Sequence, residues 1–478
     1  MKRKVVLYNP VASFYTMPLA LLAVGSHLDR ERYEPVIVDG RLEEDPVAAV
    51  LREAEGAVCL GMTVLTGMPI RDAVSVSRAV KAARPDLPII WGGWHPSMFG
   101  TECLDELSVD VTVQGQGEIT FAEIVARLER GDSLEGCLGC TFREGWVPGT
   151  RQPANPPARP SIQPSRPFED INTFAPHDYT LLDIPGYYRL KGKKQLDYIA
   201  SQGCKFRCAF CADPFVFKRR WIGLEPERMG REIEALWKQY GFTDVNFQDE
   251  TFFTSAPRVQ AIAEEFIGRR LPISWAATMR ADQCARLDDA VLETCKRSGL
   301  RRVLVGVESG NPEMLKRIQK DISLDQILAT ARRCKQFGIK VQFPFIVGFP
   351  DETDEMMDDS LALVKRLRAM SPDFETAIFY FKPYPGSAIT QEAVRQGYQL
   401  PRSLDEWSTF DFFGSAGPWV TAKKFRMVER FKFYQELAWD RVPGWKKPLQ
   451  KLARWRLRRD AYGFPIEKVV LENSMRLS

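Results

Sequence analysis

Cys204-Lys-Phe-Arg-Cys208-Ala-Phe-Cys211 places three cysteines within eight residues. Thiolates at this density select zinc or an iron–sulfur cluster. A structural zinc site and an ordinary cluster each use four protein ligands, and no fourth cysteine or histidine follows at a short spacing. Three thiolates on a 4Fe–4S cluster leave one iron open to a further ligand. The spacing therefore favours such a cluster over a disulfide or a chance group of buried thiols.

The cysteines also lie at the position where a barrel enzyme would have its active site. A strand is predicted over residues 196–201, and Gly203 ends it, so the cysteines follow the strand's carboxyl end. Active sites of barrel enzymes form at that end of the strands. Phe210 directly precedes the last cysteine and is expected to shield a cluster from water.

This arrangement resembles the radical S-adenosylmethionine (radical SAM) superfamily, whose signature is C-x3-C-x-aromatic-C. The resemblance implies that Cys204, Cys208 and Cys211 are both the cluster ligands and the catalytic centre. It also implies that the open iron chelates the amino and carboxylate groups of S-adenosylmethionine (SAM).

Length and composition indicate the number of domains and the cellular location of the chain. A chain of 478 residues should hold two or three domains. No run of 18 apolar residues predicts a transmembrane helix, and the start of the chain lacks the apolar core of a signal peptide. Ten cysteines in such a chain indicate reduced thiols and a cytoplasmic location.

Residues 1–140 predict a doubly wound α/β domain. Apolar strands are expected over residues 4–9, 35–39, 57–61, 87–91 and 109–113, with helices between them. Strict alternation of this kind indicates a parallel sheet covered on both faces. Such a sheet binds ligands at the carboxyl ends of its strands.

Glycine-rich turns follow the fourth and fifth of these strands, at residues 92–96 (GGWHP) and 114–118 (QGQGE). Together they resemble the cobalamin-binding, Rossmann-like domain of cobalamin-dependent radical SAM proteins, whose turns read G-G-x-H-P and G-E-G-E. Gln116 replaces the first glutamate of the second turn. The resemblance implies cobalamin contacts from Gly92, Gly93, His95, Gly115, Gly117 and Glu118.

His95 is not expected to ligate cobalt. The D-x-H-x-x-G motif that supplies a histidine ligand in classical cobalamin enzymes is absent, and the class commonly lacks it. The favoured interpretation of His95 is a turn histidine bonded to backbone. Cys137 and Cys140 form a C-x2-C pair that suits a redox pair or half a zinc site, but structural cysteines are favoured because no second pair accompanies them.

A linker is predicted over residues 141–195. Seven prolines fall between residues 148 and 167. Proline is excluded from helix interiors and central strands, so an extended crossing between domains is expected. His177, near its end, is interpreted as structural.

Residues 196–385 predict a partial (β/α)6 barrel. Six strands are expected, over residues 196–201, 244–249, 273–278, 302–306, 340–347 and 374–380. Polar residues and a glycine at their ends are candidates to hold SAM: Asp249, Glu250, Arg280, Glu308 and Gly348. Carboxylates suit the ammonium and the ribose hydroxyls, and arginine suits the carboxylate. The sequences around Glu308 (GVESG) and Gly348 (VGFP) also resemble cofactor motifs of the superfamily. An open six-stranded barrel would admit a large substrate from the side.

Residues 386–478 predict a helical, basic C-terminal region. Apolar residues at helical spacing between Phe425 and Leu437 indicate a helix that packs on the core. Residues 441–459 carry eight Lys and Arg and no acid, together with Trp445 and Trp455. A solvated helix and peripheral contact with the inner face of an anionic membrane are equally favoured. No recognition motif predicts a nucleic acid partner.

The resemblance implies an enzyme that cleaves SAM reductively on the 4Fe–4S cluster and, with cobalamin, methylates an unactivated carbon. The expected partners are a small-molecule substrate, lipid or tetrapyrrole in class, and an electron donor such as flavodoxin or ferredoxin. The same architecture supports a cyclase or oxidoreductase that transfers no methyl group. A non-catalytic cobalamin or iron–sulfur sensor is the alternative from a different class, and the full set of strand-end residues argues against it.

Overall fold

Two large sheets organise the chain in the computed structural model, which describes residues 2–150, 159–410 and 416–468. The first sheet has seven strands in the order β2-β1-β3-β4-β5-β6-β7. Their bounds are β1 Arg3–Asn9, β2 Tyr33–Asp39, β3 Ala57–Thr63, β4 Ile89–Gly92, β5 Val111–Val113, β6 Cys140–Arg143 and β7 Pro160–Ile162.

Strands β1 to β5 are parallel, as the sequence predicts. Strands β6 and β7 extend the sheet in antiparallel fashion beyond β5. The sheet therefore continues past the predicted domain boundary at residue 140 and into the predicted linker. Of that linker, residues 151–158 lie outside the described part of the chain.

Helices cover both faces of the first sheet. Their bounds are α1 Leu19–His27, α2 Pro46–Ala54, α3 Met68–Ala83, α4 Trp94–Met98 and α5 Glu118–Arg130. Helices α1 and α5 bury their apolar residues on one face, and α2 and α3 on the other. The doubly wound fold predicted from the sequence is confirmed.

The second sheet is the predicted open barrel of six parallel strands. Helix α6 (Ile184–Lys191) leads into it. Strands β9 and β10 pair with each other in antiparallel fashion, one before and one after the cysteines in the chain. The strands of this half are β8 Gln195–Tyr198, β9 Ser201–Gly203, β10 Trp221–Gly223, β11 Asp244–Phe247, β12 Ser274–Met279, β13 Leu300–Val305, β14 Lys340–Val347 and β15 Phe374–Tyr380. The six barrel strands lie in the order β8-β11-β12-β13-β14-β15.

The first barrel strand is shorter than predicted. It ends at Tyr198, because the backbone N–H of Ala200 donates to Asp249 (3.1 Å) instead of to a neighbouring strand. The chain then turns into β9, which pairs with β10. Gly203 ends β9 at φ +76°, where a Cβ would lie 2.3 Å from the Arg220 carbonyl oxygen, so only glycine fits this turn.

Helices complete the barrel and cover its outer face. Their bounds are α7 Asp213–Val216, α8 Pro226–Tyr240, α9 Ala256–Gly268, α10 Ala281–Arg286, α11 Asp289–Arg297, α12 Pro312–Arg317, α13 Leu324–Gln336 and α14 Asp354–Met370. Local caps fix several starts. Ser323 and Gln326 form a capping box at α13, and Thr353 caps α14.

The C-terminal region folds back over both halves of the molecule. It contains α15 Ala388–Arg395, α16 Leu404–Ser408, α17 Ala422–Trp439 and α18 Lys447–Arg459. Trp407 and Phe410 are buried in the same core as α3 of the first domain. Helix α17 buries Val428, Phe431 and Tyr434, as predicted, and reaches strand β15 through a hydrogen bond between Thr376 and Gln435 (2.9 Å).

Buried polar contacts join the two halves. Asp39 accepts hydrogen bonds from Arg41 (2.6 and 2.9 Å) and from the Tyr187 hydroxyl on α6. Asp197 on β8 accepts from the backbone N–H of Met17 (2.8 Å) and pairs with Lys191. Across the described ranges, no helix combines the length and the apolar character that crossing a membrane requires.

Candidate cofactor-binding site

The three cysteines lie on the loop between β9 and α7. Cys208 is buried, Cys204 and Cys211 are partly exposed, and none forms a disulfide. The loop backbone is held on two sides. The N–H of Ala209 donates to the Ile318 carbonyl (2.8 Å), and the carbonyl of Ala209 accepts from Ile389 (3.0 Å). This anchoring fixes the cysteines at the carboxyl end of the barrel.

Donors surround the cysteine sulfurs. The guanidinium of Arg280 lies 3.6 Å from Cys208 Sγ, and the backbone N–H of Asp213 lies 3.4 Å from Cys211 Sγ. Burial raises the pKa of Cys204 to about 11 and that of Cys211 to about 12. A bound metal displaces these protons, and the donors then stabilise the thiolates. The loop thus fits a thiolate-bound cluster.

The arrangement does not suit a single metal ion. Over the described ranges, no three His, Cys, Asp or Glu side chains converge closely enough to hold one ion. Each thiolate of a 4Fe–4S cluster binds a different iron, so its sulfurs do not meet at one point. The same finding gives the C-x2-C pair no zinc site. Cys137 and Cys140 are buried, and Cys140 Sγ contacts the Cys137 carbonyl (3.2 Å).

Arg280 and Glu308 come together beneath the cysteine loop through Lys320. Lys320 forms an ion pair with Glu308 (2.7 Å), and its carbonyl accepts a hydrogen bond from Arg280 (2.5 Å). All three side chains are buried. Arg280 also stacks on Phe206, with the guanidinium 3.7 Å from the ring centroid. Lys320 could not be singled out from the sequence, where it is one more cation, three residues after the end of α12.

The two acids predicted at the end of β11 point to different places. Asp249 is buried and accepts from the Ala200 N–H and the Ser201 hydroxyl, so it shapes the backbone. Burial raises its pKa to about 6. Glu250 lines a cavity instead. Glu250 is exposed in the structure, so a ligand in the cavity can reach its carboxylate. Only Glu250 of this pair is placed to meet a ligand in the cavity.

Phe210 packs next to Gly348, because its ring contacts Phe349, the following residue. The Phe210 ring is half-buried against Phe349, 6.0 Å between centroids, and Lys320 Nζ lies 5.8 Å from it. The shielding role expected for Phe210 stays a prediction. Gly348 has φ +80°, and a Cβ there would lie 2.4 Å from Val420. Its N–H donates to Glu352, so this strand end is closely packed.

A cavity of about 330 Å³ lies between the two halves. The N-terminal domain contributes both glycine-rich turns, and the barrel contributes residues next to the cysteine loop. Predicted residues that line it are Gly92, Gly93, Gly115, Gly117, Glu118 and Glu250. The barrel side also includes Gln202, two residues before Cys204, and Phe217. One cavity therefore borders both predicted cofactor sites.

Gly115 and Gly93 differ in the space that a side chain would find at each position. Gly115 has φ +73°, and no atom of the described residues lies within 4 Å of the point that a Cβ would occupy, so a side chain there would project into open space. Gly93 has φ +93°, and its Cβ would lie 2.8 Å from Thr63 Oγ1. The open cradle at Gly115 fits the close approach of a large ligand, whereas Gly93 is required by local packing.

His95 does not line the cavity, which corrects the expected cobalamin contact. The side chain is fully buried, with Nδ1 3.1 Å from Thr66 Oγ1. Its ring packs against Phe99 and Trp407, at 5.0 and 5.8 Å between centroids. Burial lowers its pKa to about 3. A neutral histidine enclosed by aromatic rings is structural, as the favoured interpretation held, although its side-chain partner is a hydroxyl.

Comparison with known protein families matches both halves of the chain. The model of the radical SAM superfamily matches residues 198–364, and that of the B12 binding domain matches residues 6–125. The first match contains the cysteine loop and the strand ends through Gly348. The second contains both glycine-rich turns.

Relatives of this arrangement are found among proteins of more than one description. An uncharacterized methyltransferase of Pyrococcus horikoshii is 29% identical over 401 residues, covering 82% of each chain. An anaerobic magnesium-protoporphyrin IX monomethyl ester cyclase of Rubrivivax gelatinosus is 26% identical over 353 residues, covering 73% of this chain and 61% of the relative.

The solved structure of the cobalamin-dependent S-adenosylmethionine radical enzyme OxsB, with aqua-cobalamin and S-adenosylmethionine bound, shares the architecture. It superposes with a TM-score of 0.75 at 16% identity, covering 100% of this chain and 75% of that one. At this identity the likeness is one of fold.

Proposed function

Because the chain belongs to the radical SAM superfamily and carries a B12-binding domain, we propose that it is a cobalamin-dependent C-methyltransferase acting on a small molecule. The observation that carries the proposal is the shared cavity. Its walls come from the glycine-rich turns on one side and from the region of the cysteine loop on the other. Two cofactors bound at these walls would face the same enclosed space.

Some residues of the site would bind the cofactors, and others would orient them. Cys204, Cys208 and Cys211 would hold the 4Fe–4S cluster, with Arg280 beside Cys208. Glu250 reaches the cavity, and Glu308 is buried with Lys320 as its ion-pair partner. When bound, the cluster supplies the electron for reductive cleavage of SAM, and cobalamin supplies the methyl group. The apolar walls would keep water away from reactive groups.

Isotope transfer tests this function. Anaerobic, cluster-reconstituted protein is incubated with hydroxocobalamin, dithionite, methyl-labelled SAM and lipid or tetrapyrrole extracts. We expect 5′-deoxyadenosine, S-adenosylhomocysteine and a product carrying the labelled methyl group. Absence of 5′-deoxyadenosine from fully loaded protein would instead support a sensor without turnover.

The relative described as a cyclase carries a second candidate function. A cyclase or oxidoreductase of the same architecture would consume SAM and form 5′-deoxyadenosine, but its product would gain no label. The mass of the product therefore separates the two reactions. In either case an electron donor such as flavodoxin or ferredoxin would replace dithionite in the cell.

We further propose that α18 attaches the enzyme to an anionic membrane surface. Ala453 and Leu457 are buried, so this helix packs on the molecule by one side. Its other side exposes apolar residues among cations. Leu452 and Trp455 on this helix are 37% and 52% exposed, and Trp445, two residues before it, is 66% exposed. Tryptophan and basic residues on one helix face are typical of interfacial helices, and each cation near an anionic surface contributes about 1 kcal/mol.

Charge reversal tests the attachment without disturbing the packed side. Lys447 and Lys451 are exposed on α18, and Lys193 and Lys194 are exposed outside it. The K447E/K451E variant should lose binding to vesicles containing phosphatidylserine, whereas K193E/K194E should keep it. Wild-type binding should weaken at high salt. Equal sedimentation of all three proteins would mean that α18 is an ordinary surface helix.

A further inference from the structure

A chain of side-chain amides crosses the boundary between the two halves at the cavity wall. Gln116 Nε2 donates to Gln202 Oε1 (2.8 Å), and Gln202 Nε2 donates to Glu118 Oε1 (2.8 Å). The linker closes the chain, because the Glu169 N–H donates to Gln116 Oε1 (2.8 Å). We name Gln116, Gln202 and Glu118 the amide chain.

The polarity of the amide chain is fixed at one end. An ionised Glu118 only accepts hydrogen bonds, so Gln202 must turn its NH2 group toward it. Gln202 Oε1 is then left facing residue 116 and needs a donor there. A glutamine meets this need and also accepts from Glu169, whereas a glutamate could not donate. The departure of residue 116 from the G-E-G-E turn of cobalamin-dependent radical SAM proteins thus has a structural reason.

The position of the chain gives it a consequence beyond local packing. Gln116 lies between Gly115 and Gly117, which line the cavity. Gln202 lies in β9, two residues before Cys204. The amide chain therefore connects the turn that would border cobalamin with the strand that leads into the cluster ligands.

We infer that Gln116, Gln202 and Glu118 are positioning residues that latch the glycine turn to the cysteine strand and so set the width of the shared cavity. This inference rests on the proposed use of that cavity by cobalamin. Gln116→Glu would leave Gln202 Oε1 facing a carboxylate, so two acceptors would meet where Gln116 now donates. The turn would then be released from β9.

The polarity argument also predicts a rescue. In Gln116→Glu combined with Glu118→Gln, residue 118 can donate to Gln202 Oε1, and Gln202 Nε2 can donate to residue 116. The chain is then reversed but complete. Glu118→Gln alone keeps an acceptor for Gln202, so the amide chain stays complete. Because Glu118 lines the cavity, this variant is the reference that measures any direct effect of residue 118 on cobalamin.

Binding of hydroxocobalamin, followed by its absorbance in anaerobic cluster-loaded protein, measures the effect. We expect a dissociation constant at least fivefold higher for Q116E than for wild type, and a value for the double variant within twofold of that for E118Q. Iron and sulfide content should be equal in all four proteins. A double variant at least fivefold weaker than E118Q, or a Q116E variant equal to wild type, would overturn the inference.

Hydrogen exchange of the corrin-free proteins provides a readout that does not need cobalamin. Amides of residues 114–118 and 199–204 should exchange faster in Q116E and return to wild-type rates in the double variant. Wild-type protein that fails to bind hydroxocobalamin would refute the proposed function. Unchanged exchange in Q116E would refute the latch itself, so the two failures are distinct.

Discussion

Single residues near the cysteine loop show what a sequence can and cannot reveal. The cysteines could be predicted from their spacing, and Glu250 and Arg280 from their positions among the polar residues at the strand ends. Lys320 was missed because its pairing with Glu308 arises only when the chain after α12 folds beneath the loop. Asp249 was assigned to a ligand, yet its partners, Ala200 and Ser201, lie 49 and 48 residues away. No local pattern encodes such contacts.

Replacement of Cys208 by alanine tests the cluster at this scale. Wild-type protein should reconstitute with about four irons per chain, whereas C208A should hold far fewer and form no 5′-deoxyadenosine. Cobalamin binding should persist, because the first domain is untouched. Cys295→Ala is the matched control, since Cys295 is a buried barrel cysteine outside the loop. Full iron content in C208A would contradict the assignment.

His95 should make stability depend on pH. Burial lowers its pKa from 6.5 to about 3, so below pH 6.5 the unfolded chain binds a proton that the folded chain does not. Its contribution to stability is present above pH 6.5 and is lost as pH falls toward 3. The slope is about 1.4 kcal/mol per pH unit. Denaturant unfolding of wild type and H95Q between pH 7 and pH 5 should show a steeper decline for wild type. Parallel curves would show that His95 titrates normally.

At the scale of elements, regular strands were predictable and their interruptions were not. The strands predicted over residues 340–347 and 374–380 coincide with β14 and β15, because long apolar runs form buried parallel strands. The strand predicted over residues 196–201 ends early at Tyr198, since a distant carboxylate captures the next N–H. The glycine turns were recognised from sequence, but only the structure distinguishes open Gly115 from crowded Gly93.

Gly115→Val tests the turn as a ligand cradle. Its side chain should project into the cavity, so the affinity for hydroxocobalamin should fall at least tenfold. Backbone strain at positive φ would also destabilise the protein by about 1–2 kcal/mol. Gly136 has φ +78° and equally open surroundings but does not line the cavity, so G136V carries the same strain. Comparable loss of cobalamin affinity in both variants would attribute the effect to strain alone.

The whole molecule depends on contacts that the sequence could not place, because they join distant segments. Tyr187 on α6 donates to Asp39, which is already held by Arg41, and this group fixes the barrel against the first domain. Arg41 also donates to the Phe14 and Thr16 carbonyls, at 2.6 and 2.7 Å, beside the cavity. The sequence predicted two domains and a linker, but not this shared polar core.

Tyr187→Phe should therefore loosen the union of the two halves. A hydrogen bond to a charged group contributes about 1.5–3 kcal/mol, so the free energy of unfolding should fall by about that amount. Tyr188→Phe is the neighbouring control, because the Tyr188 hydroxyl makes a long bond of 3.4 Å to the Tyr240 carbonyl and the side chain is partly exposed. Equal denaturation midpoints for Y187F and wild type would contradict a stabilising role.

Trp407 and Phe410 pack into the core of the first domain, so that core is complete only after the C-terminal region has been synthesised. His95 and Phe99 are covered by the ring of Trp407, which follows them by roughly 300 residues in the chain. At about 5–20 residues per second, the nascent first domain waits roughly 15–60 s with that apolar surface uncovered. The first domain to be synthesised is therefore among the last to bury all of its apolar surface. A chaperone that binds this surface would have that interval in which to act.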